Sequence, residues 1–318
     1  MKIQYKIAAD GSVEILRCYG SDPRIVLPGQ IDGRTVTAVA AYAFSDRKTS
    51  EEAEVLEYET EDHRLFREGE RLLVGELVER VELPDTVERI GRYIFYGCRN
   101  LRALRFSDRL RDIGSGAFTG CRGLRRLDVE LTKGKKTCVK EILGDLWQRI
   151  DVRFRRNGAE AKLVFPEHYE EAVENTPARI LFTQHHGSGN NYRQCFYDRE
   201  MDFRKYDSLF YLARAQEKTG VLTDLVFARL MGPEELTKEA EAGYERFVRE
   251  REEEILSVLT DRGDMEKLRE ISSRSLWERE ALEHAIGYAS EQKQGEVLSF
   301  LMNEKQKFFP GVRKKYEL

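Results

Sequence analysis

The chain lacks the marks of several common protein classes. No window approaches the roughly 18 uncharged apolar residues that span a bilayer. At the N-terminus, Met1-Lys2-Ile3-Gln4-Tyr5-Lys6-Ile7 alternates apolar and polar residues, which predicts a first β-strand where a signal peptide would carry an apolar block. A cytoplasmic location and no membrane partner are expected on those grounds. The five cysteines form no CxxC pair, and an odd number in a chain of 318 residues favours free thiols over a disulfide framework. The dinucleotide pattern GxGxxG, the phosphate loop GxxxxGK[ST], GxSxG and HExxH are all missing. No catalytic residue, cofactor-binding residue or metal ligand is therefore expected, and the chain reads as a non-enzyme.

An excess of one charge is missing too. Lys plus Arg number 53 against 57 Asp plus Glu, so the net charge of −4 gives no global pull toward nucleic acid or anionic membrane. Locally the balance is uneven: Arg89 to Glu160 holds 18 basic and 8 acidic residues, and Glu234 to Glu304 holds 10 basic and 19 acidic. The plain reading is that each segment solvates its own surface or that the two face each other. With 41% hydrophobic and 35% charged residues, the composition suits elongated folds, and the length suits two cores.

What is present is a repeat. Val81-Glu82-Leu83-Pro84-Asp85 leads through Ile90-Gly91 to Phe95-Tyr96-Gly97-Cys98 and Leu101, and the same frame returns through Leu104-Arg105-Phe106, Ile113-Gly114, Phe118-Thr119-Gly120-Cys121 and Leu124, at an offset of 23 residues. A unit of this length supplies a short strand with inward side chains, a tight turn and an apolar return, and it buries its face only by stacking on a neighbour. The frame predicts Leu83, Phe106 and Val129 in one interior row, Ile90 and Ile113 in a second, Phe95 and Phe118 in the wide part, and Cys98 and Cys121 as small buried hydrophobes. A degenerate copy lies upstream at Ile25-Val26-Leu27-Pro28-Gly29, with Val39, Tyr42 and Phe44 at the Ile and Phe positions.

These Leu-Pro, Ile-Gly, Phe-x-Gly-Cys and Leu steps, over roughly residues 22 to 130, resemble the BspA-like (treponemal) leucine-rich repeat. The resemblance implies a solenoid and a protein-binding surface. Many proteins of that family are exported and carry long arrays, whereas this chain shows no export signal and about three clear units, which points away from an adhesin. The frame breaks between Arg47 and Arg80, where a divergent repeat or hairpin insertion is expected, and residues 1 to 21 are the natural first cap.

Beyond the repeats, helical spacing over Cys138 to Ile150 and alternation over Val152 to Phe154 and Ala161 to Phe165 predict the far cap. Glu167 to Glu174 reads as a helix, Arg179 to Phe182 as a buried strand, and His185 to Asn191 as a linker. From Tyr206 the period becomes 3.6, with Asp207 as a fitting N-cap, a stop at Gly232-Pro233, a long run from Glu234 to Leu259 and a break at Gly263-Asp264. Arg262 to Leu268 resembles the turn and helix start of ankyrin-like repeats, with Leu225, Leu268 and Leu298 as equivalents; the spacings are irregular, the TPLH signature is absent, and a plain bundle is the alternative. The expected fold is thus a short leucine-rich-repeat solenoid over 1–165 with an insertion at about 47–80, a connecting segment over 166–203, and an all-α helical-hairpin domain over 204–318.

The outward strand positions Glu82, Arg105 and Asp128 form the candidate partner-binding face, and their mixed charge suits an unidentified protein partner. Nucleic acid is the less favoured partner. It would use the Arg-rich stretch from Arg89 to Arg156, or stacking on the aromatic segment Tyr192 to Phe210, which otherwise pins a domain junction. An enzyme would need an unrecognised inter-domain site near Glu170, His185 and Arg193. The Gly187-Ser188-Gly189 loop and the His185, His186 and Cys195 group match no phosphate or zinc pattern. The sequence leaves the oligomeric state open.

Overall fold

The computed structural model describes residues 1–47, 54–60, 71–175 and 180–310. They fall into two compact units, Met1–Leu209 and Phe210–Leu318.

The first unit is a β-solenoid with a parallel ladder on each of two sides. One sheet is built from β3 (Arg24–Val26), β8 (Arg80–Glu82), β10 (Ala103–Ser107), β12 (Arg126–Glu130) and β13 (Ile150–Arg156), all parallel, and is closed by the antiparallel β14 (Ala159–Phe165). Arg80, Ala103 and Arg126 are direct partners, so the 23-residue frame is the register of the ladder. The upstream copy joins in the same frame, Ile25 opposite Val81, across a separation that contains the insertion. The other sheet pairs β5 (Arg34–Val39), β9 (Arg89–Ile90) and β11 (Asp112–Ile113) in parallel, with Val39 opposite Ile90 and Ile90 opposite Ile113. A two-stranded hairpin of β4 (Gln30–Ile31) with the start of β5 fills the step that separates Leu27 from Val39.

Residues 1 to 21 form the first cap: β1 (Lys2–Ile7) folds back on β2 (Val13–Gly20), and β2 lies parallel to β5. The described parts of the insertion reinforce that cap, since β6 (Leu56–Glu59) pairs with β1 and β7 (Arg71–Leu72) with β2. Residues 48–53 and 61–70, including part of the expected hairpin, lie outside the described residues. At the far end, α1 (Val139–Gly144) and the β13–β14 hairpin complete the unit.

Stacking places like side chains together, as the repeat demands. Leu83, Phe106 and Val129 are each no more than 1% exposed. Phe44, Phe95 and Phe118 form a continuous ladder with ring centroids 5.5 and 5.6 Å apart. Tyr42 stacks on Tyr93 at 5.5 Å beside them. Ile90 is buried, whereas Ile113, on the edge strand of its sheet, is half-buried. The cysteines do more than fill space: the Cys98 thiol donates to the Phe44 carbonyl and the Cys121 thiol to the Phe95 carbonyl, both at 3.2 Å, one coil back.

Three local expectations are corrected after the far cap. Glu167 to Glu174 is not helical: β15 (Tyr169–Asn175) pairs with β16 (Ile180–His186), so cross-strand hydrogen bonding overrides the helical leaning of Glu and Ala. The expected linker contains a short helix, α2 (Gly189–Arg193), followed by the β17–β18 hairpin (Phe196–Tyr197 and Glu200–Met201). The N-cap of α3 (Phe203–Ser208) is Asp202, whose carboxylate accepts from the Lys205 N–H at 2.9 Å; Asp207 lies inside the helix.

The second unit is helical: α4 (Phe210–Gln216), α5 (Thr219–Met231), α6 (Lys238–Glu250), α7 (Glu252–Arg262), α8 (Met265–Ser273), α9 (Arg279–Glu291) and α10 (Gly295–Phe308). The stripe of Tyr244, Phe247, Val248, Ile255, Leu256 and Leu259 is buried, but the long run is two helices broken at Arg251, with φ −126° and ψ 24°. Gly263 ends α7 in the left-handed conformation, and Asp264 caps α8 by accepting from the Lys267 N–H at 3.2 Å. The ankyrin-like equivalence fails at its third member: Leu298 is half-buried, and Val297 and Leu301 face the interior. Arg274 ties this unit together, donating to Glu241, Glu245, Glu270 and the Leu230 carbonyl. Among the described residues no helix is long and apolar enough to cross a membrane.

Candidate interaction face

Strand alternation sends Leu104, Leu127 and Val152 inward and their neighbours outward. The register then lines up one outward row across the parallel sheet: Val26, Glu82, Arg105, Asp128, Arg153 and Lys162 are successive direct partners. At the usual strand spacing this row spans about 24 Å. The three residues singled out from sequence therefore sit side by side, and the structure extends their row in both directions.

The row is ordered by its own ion pairs. Asp128 is only 3% exposed because three guanidinium groups cover it, Arg126 at 2.9 Å, Arg80 at 3.8 Å and Arg153 at 3.9 Å. It was expected in solvent with Glu82 and Arg105; Arg126 on its own strand, Arg153 on the next and Arg80 two strands away reach over the shorter aspartate. Glu82 pairs with Arg80 at 2.9 Å, and Arg105 reaches Asp85 at 2.8 Å while donating to the Leu83 carbonyl at 3.0 Å. Arg153 also meets Glu160 at 3.0 Å, which Lys162 and Arg155 share. Val26 ends the row as an apolar side chain 59% exposed. Such a face offers fixed donors and acceptors, with no side chain placed as a nucleophile or proton-transfer pair.

The remaining sequence candidates lie on different elements, Glu170 on β15, His185 on β16 and Arg193 on α2. Arg193 is 5% exposed and caps carbonyls, donating through Nε to Leu143 and Leu146, through Nη1 to Pro166 and Gly189, and through Nη2 to Gln148. Burial lowers its pKa to about 10. Glu170 lies opposite His185 in the β15–β16 ladder and is exposed; the His185 side chain lies outside the described residues. His186 stacks on Tyr169 with centroids 4.4 Å apart. Among the described residues no group of His, Cys, Asp and Glu is arranged to hold a metal ion.

Of the aromatic segment, Tyr192, Phe196, Tyr206 and Phe210 are buried, and the Tyr206 hydroxyl donates to the Val164 carbonyl at 2.7 Å. Much of the Arg-rich stretch is paired: Arg89 with Glu14, Arg99 with Glu76, Arg109 with Glu88, Arg149 with Asp151. The buried arginine staple and the arginine cover over Asp128 were missed in the sequence, since the partners are carbonyls or include residues one and two coils away. The 23-residue frame placed Arg80 and Arg126 two residues before Glu82 and Asp128 and held the only signal for that cover.

Residues 74–141 match the family whose model is described as "BspA type Leucine rich repeat region (6 copies)". Among solved structures, the chain is similar to a leucine rich cell surface protein of Faecalibacterium prausnitzii, at 22% identity over 40% of this chain and 31% of that one, with a TM-score of 0.27. It is also similar to the leucine rich repeat protein of T. pallidum, at 23% identity over 43% of this chain and 73% of that one, with a TM-score of 0.23. The match thus spans about a third of the first of these two proteins. A comparison with curated proteins returned no match.

Proposed function

We propose that this chain is a non-enzymatic protein-interaction module whose docking surface is the outward row centred on Glu82, Arg105 and Asp128. The observation that carries this reading is the ion-paired order of that row on a rigid parallel ladder. Side chains already held by Arg80, Arg126 and Arg153 lose little further freedom on binding. Alternating charge selects a partner by complementarity, and the exposed Val26 adds an apolar contact at one end. The repeat match over 74–141 supports the same reading, because solenoid faces present extended surfaces to macromolecules. A cytoplasmic setting belongs to the proposal, supported by five free, buried cysteines.

Charge reversal at Asp128 is a poor test, since it sets a cation among three arginines and lowers stability by itself. The better variant combines Val26→Asp with Arg155→Glu, both on exposed side chains of the same face. Affinity capture from native extract, followed by a titration of the captured protein, should show binding at least about tenfold weaker with a melting temperature within about 2 °C of the parent. Unchanged affinity in that variant rules out this face.

A further inference from the structure

A cleft of about 660 Å³ opens in the first unit, away from the row described above, where the turn after β10 meets the loop from Lys133 to Thr137 and the β17–β18 hairpin. Six cations line it: Arg109, Arg111, Lys133, Lys135, Lys136 and Arg199. Three carboxylates share the lining, Glu88, Asp108 and Glu200.

Both oxygens of Asp108 are committed to the loop. One of its oxygens accepts from the Thr132 N–H at 3.0 Å and the Thr132 hydroxyl at 2.6 Å, and the other accepts from the N–H groups of Lys133 at 2.8 Å and Gly134 at 2.6 Å. Burial alone would raise its carboxyl, but these hydrogen bonds outweigh it and hold the group below the ordinary aspartate value, so it stays ionised and keeps the loop fixed. The far end of the loop is tied as well. The Thr137 N–H donates to the Arg199 carbonyl at 2.9 Å, Lys136 bridges to Glu200, and Arg199 donates to the Arg111 carbonyl at 3.0 Å. Three lysines thus hang from a loop whose backbone is anchored at both ends.

The pairing within the cleft is partial. Arg109 meets Glu88 at 2.5 Å, Lys135 meets Glu200 at 3.7 Å, Lys136 pairs with Asp198, and Arg199 pairs with Glu141. Among the described residues Arg111 and Lys133 have no ion-pair partner, and both are exposed. The surplus is cationic and lies in a concave surface whose loop backbone is anchored.

We propose that this cleft binds a compact oligophosphate. A peptide carboxylate brings one charge and two acceptor oxygens, so it engages Arg111 and Lys133 with less charge than a phosphate does. A phosphate carries up to two charges and three acceptor oxygens, so it can bridge Arg111 and Lys133 while drawing Arg109 and Lys135 from their single carboxylates. The lining includes no aromatic ring on which a base would stack, which disfavours single-stranded nucleic acid.

The test is calorimetric titration of the full chain at low salt with inorganic tripolyphosphate, with hexaglutamate and a short oligothymidylate as comparisons. Tripolyphosphate should bind more tightly than either. Arg111→Glu with Lys133→Glu should weaken it at least about tenfold, Lys133→Arg should leave it within about twofold, and melting temperatures should stay within about 2 °C because both side chains are exposed. Lys136→Gln, a milder change, should weaken it by a few-fold. Absence of tripolyphosphate binding, tighter binding of hexaglutamate or oligothymidylate, or affinity indifferent to these variants would each overturn the proposal.

Discussion

Gly114→Ala tests the solenoid where its coils approach most closely. A Cβ built on Gly114 would sit 2.2 Å from the Arg92 nitrogen and 2.5 Å from the Gly91 carbonyl carbon, backbone atoms of the preceding coil that cannot rotate away. Gly91 stands in the same relation to Ala41, with a contact of 2.2 Å, so the Ile-Gly step is a packing requirement repeated along the array. Relieving the clash to an ordinary contact requires the coils to separate by roughly 1 Å. That movement strains the bonds from Gly114 N–H to Ile90 carbonyl, Tyr93 to Ser115 and Phe95 to Ala117, now 2.9, 3.1 and 3.0 Å long. Losing three such bonds at about 1 kcal/mol each, with some loosening of the Phe95 and Phe118 contact, gives about 3 to 5 kcal/mol. For a unit of 209 residues that lowers the melting temperature by about 6 to 20 °C, read by far-ultraviolet circular dichroism. The control is Gly144→Ala, where nothing lies within 4 Å of the new atom; it should melt within about 2 °C of the parent. A Gly114→Ala protein that melts with the control refutes the stacking argument.

Two further outcomes follow from burial. The Glu252 carboxyl, 3% exposed and accepting from the Glu278 N–H at 2.8 Å, is raised by burial from 4.5 to about 8. Between those values the folded chain holds a proton that the unfolded chain releases, so stability falls as pH rises through that window and levels off above it. Glu252→Gln should remove this slope and melt higher than the parent at pH 8 to 9; parallel pH profiles from urea melts would contradict the assignment. Burial also pushes the thiols of Cys18, Cys98, Cys138 and Cys195 up to about 12, and that of Cys121 upward as well. A thiol-disulfide reagent at pH 8 should leave the native protein unlabelled and react with all five cysteines in urea, and prompt labelling of the native chain would show an open site.

The repeat was legible because stacking imposes identical demands one coil apart. Phe95 and Phe118, or Cys98 and Cys121, must match in size to share a row, so the spacing shows in the letters themselves. The insertion was legible only as a break, since its strands pair with β1 and β2, far back in the chain, by backbone hydrogen bonds that leave no periodic trace. The β15–β16 hairpin was misread for a related reason: Glu and Ala lean to helix locally, and the pairing that wins lies in a second segment. The break at Arg251 has neither Gly nor Pro; it brings Glu252 inward to meet the Glu278 amide, a contact 26 residues away. In the candidate face, Glu82, Arg105 and Asp128 were legible as a row, while the burial of Asp128 depended on arginine lengths across strands.

The constant offset joining β8, β10 and β12 gives the array a seam. A duplicated segment of one coil's length, inserted there, would find matching interior neighbours above and below, because successive coils repeat their Leu, Ile-Gly, Phe and Cys positions. The ends of this sheet differ from its middle. Three-residue β3 lies between Pro23 and Pro28, which lack the N–H groups another strand would need, and β14 runs against the grain of the ladder. Lengthening by internal duplication is therefore open to this protein.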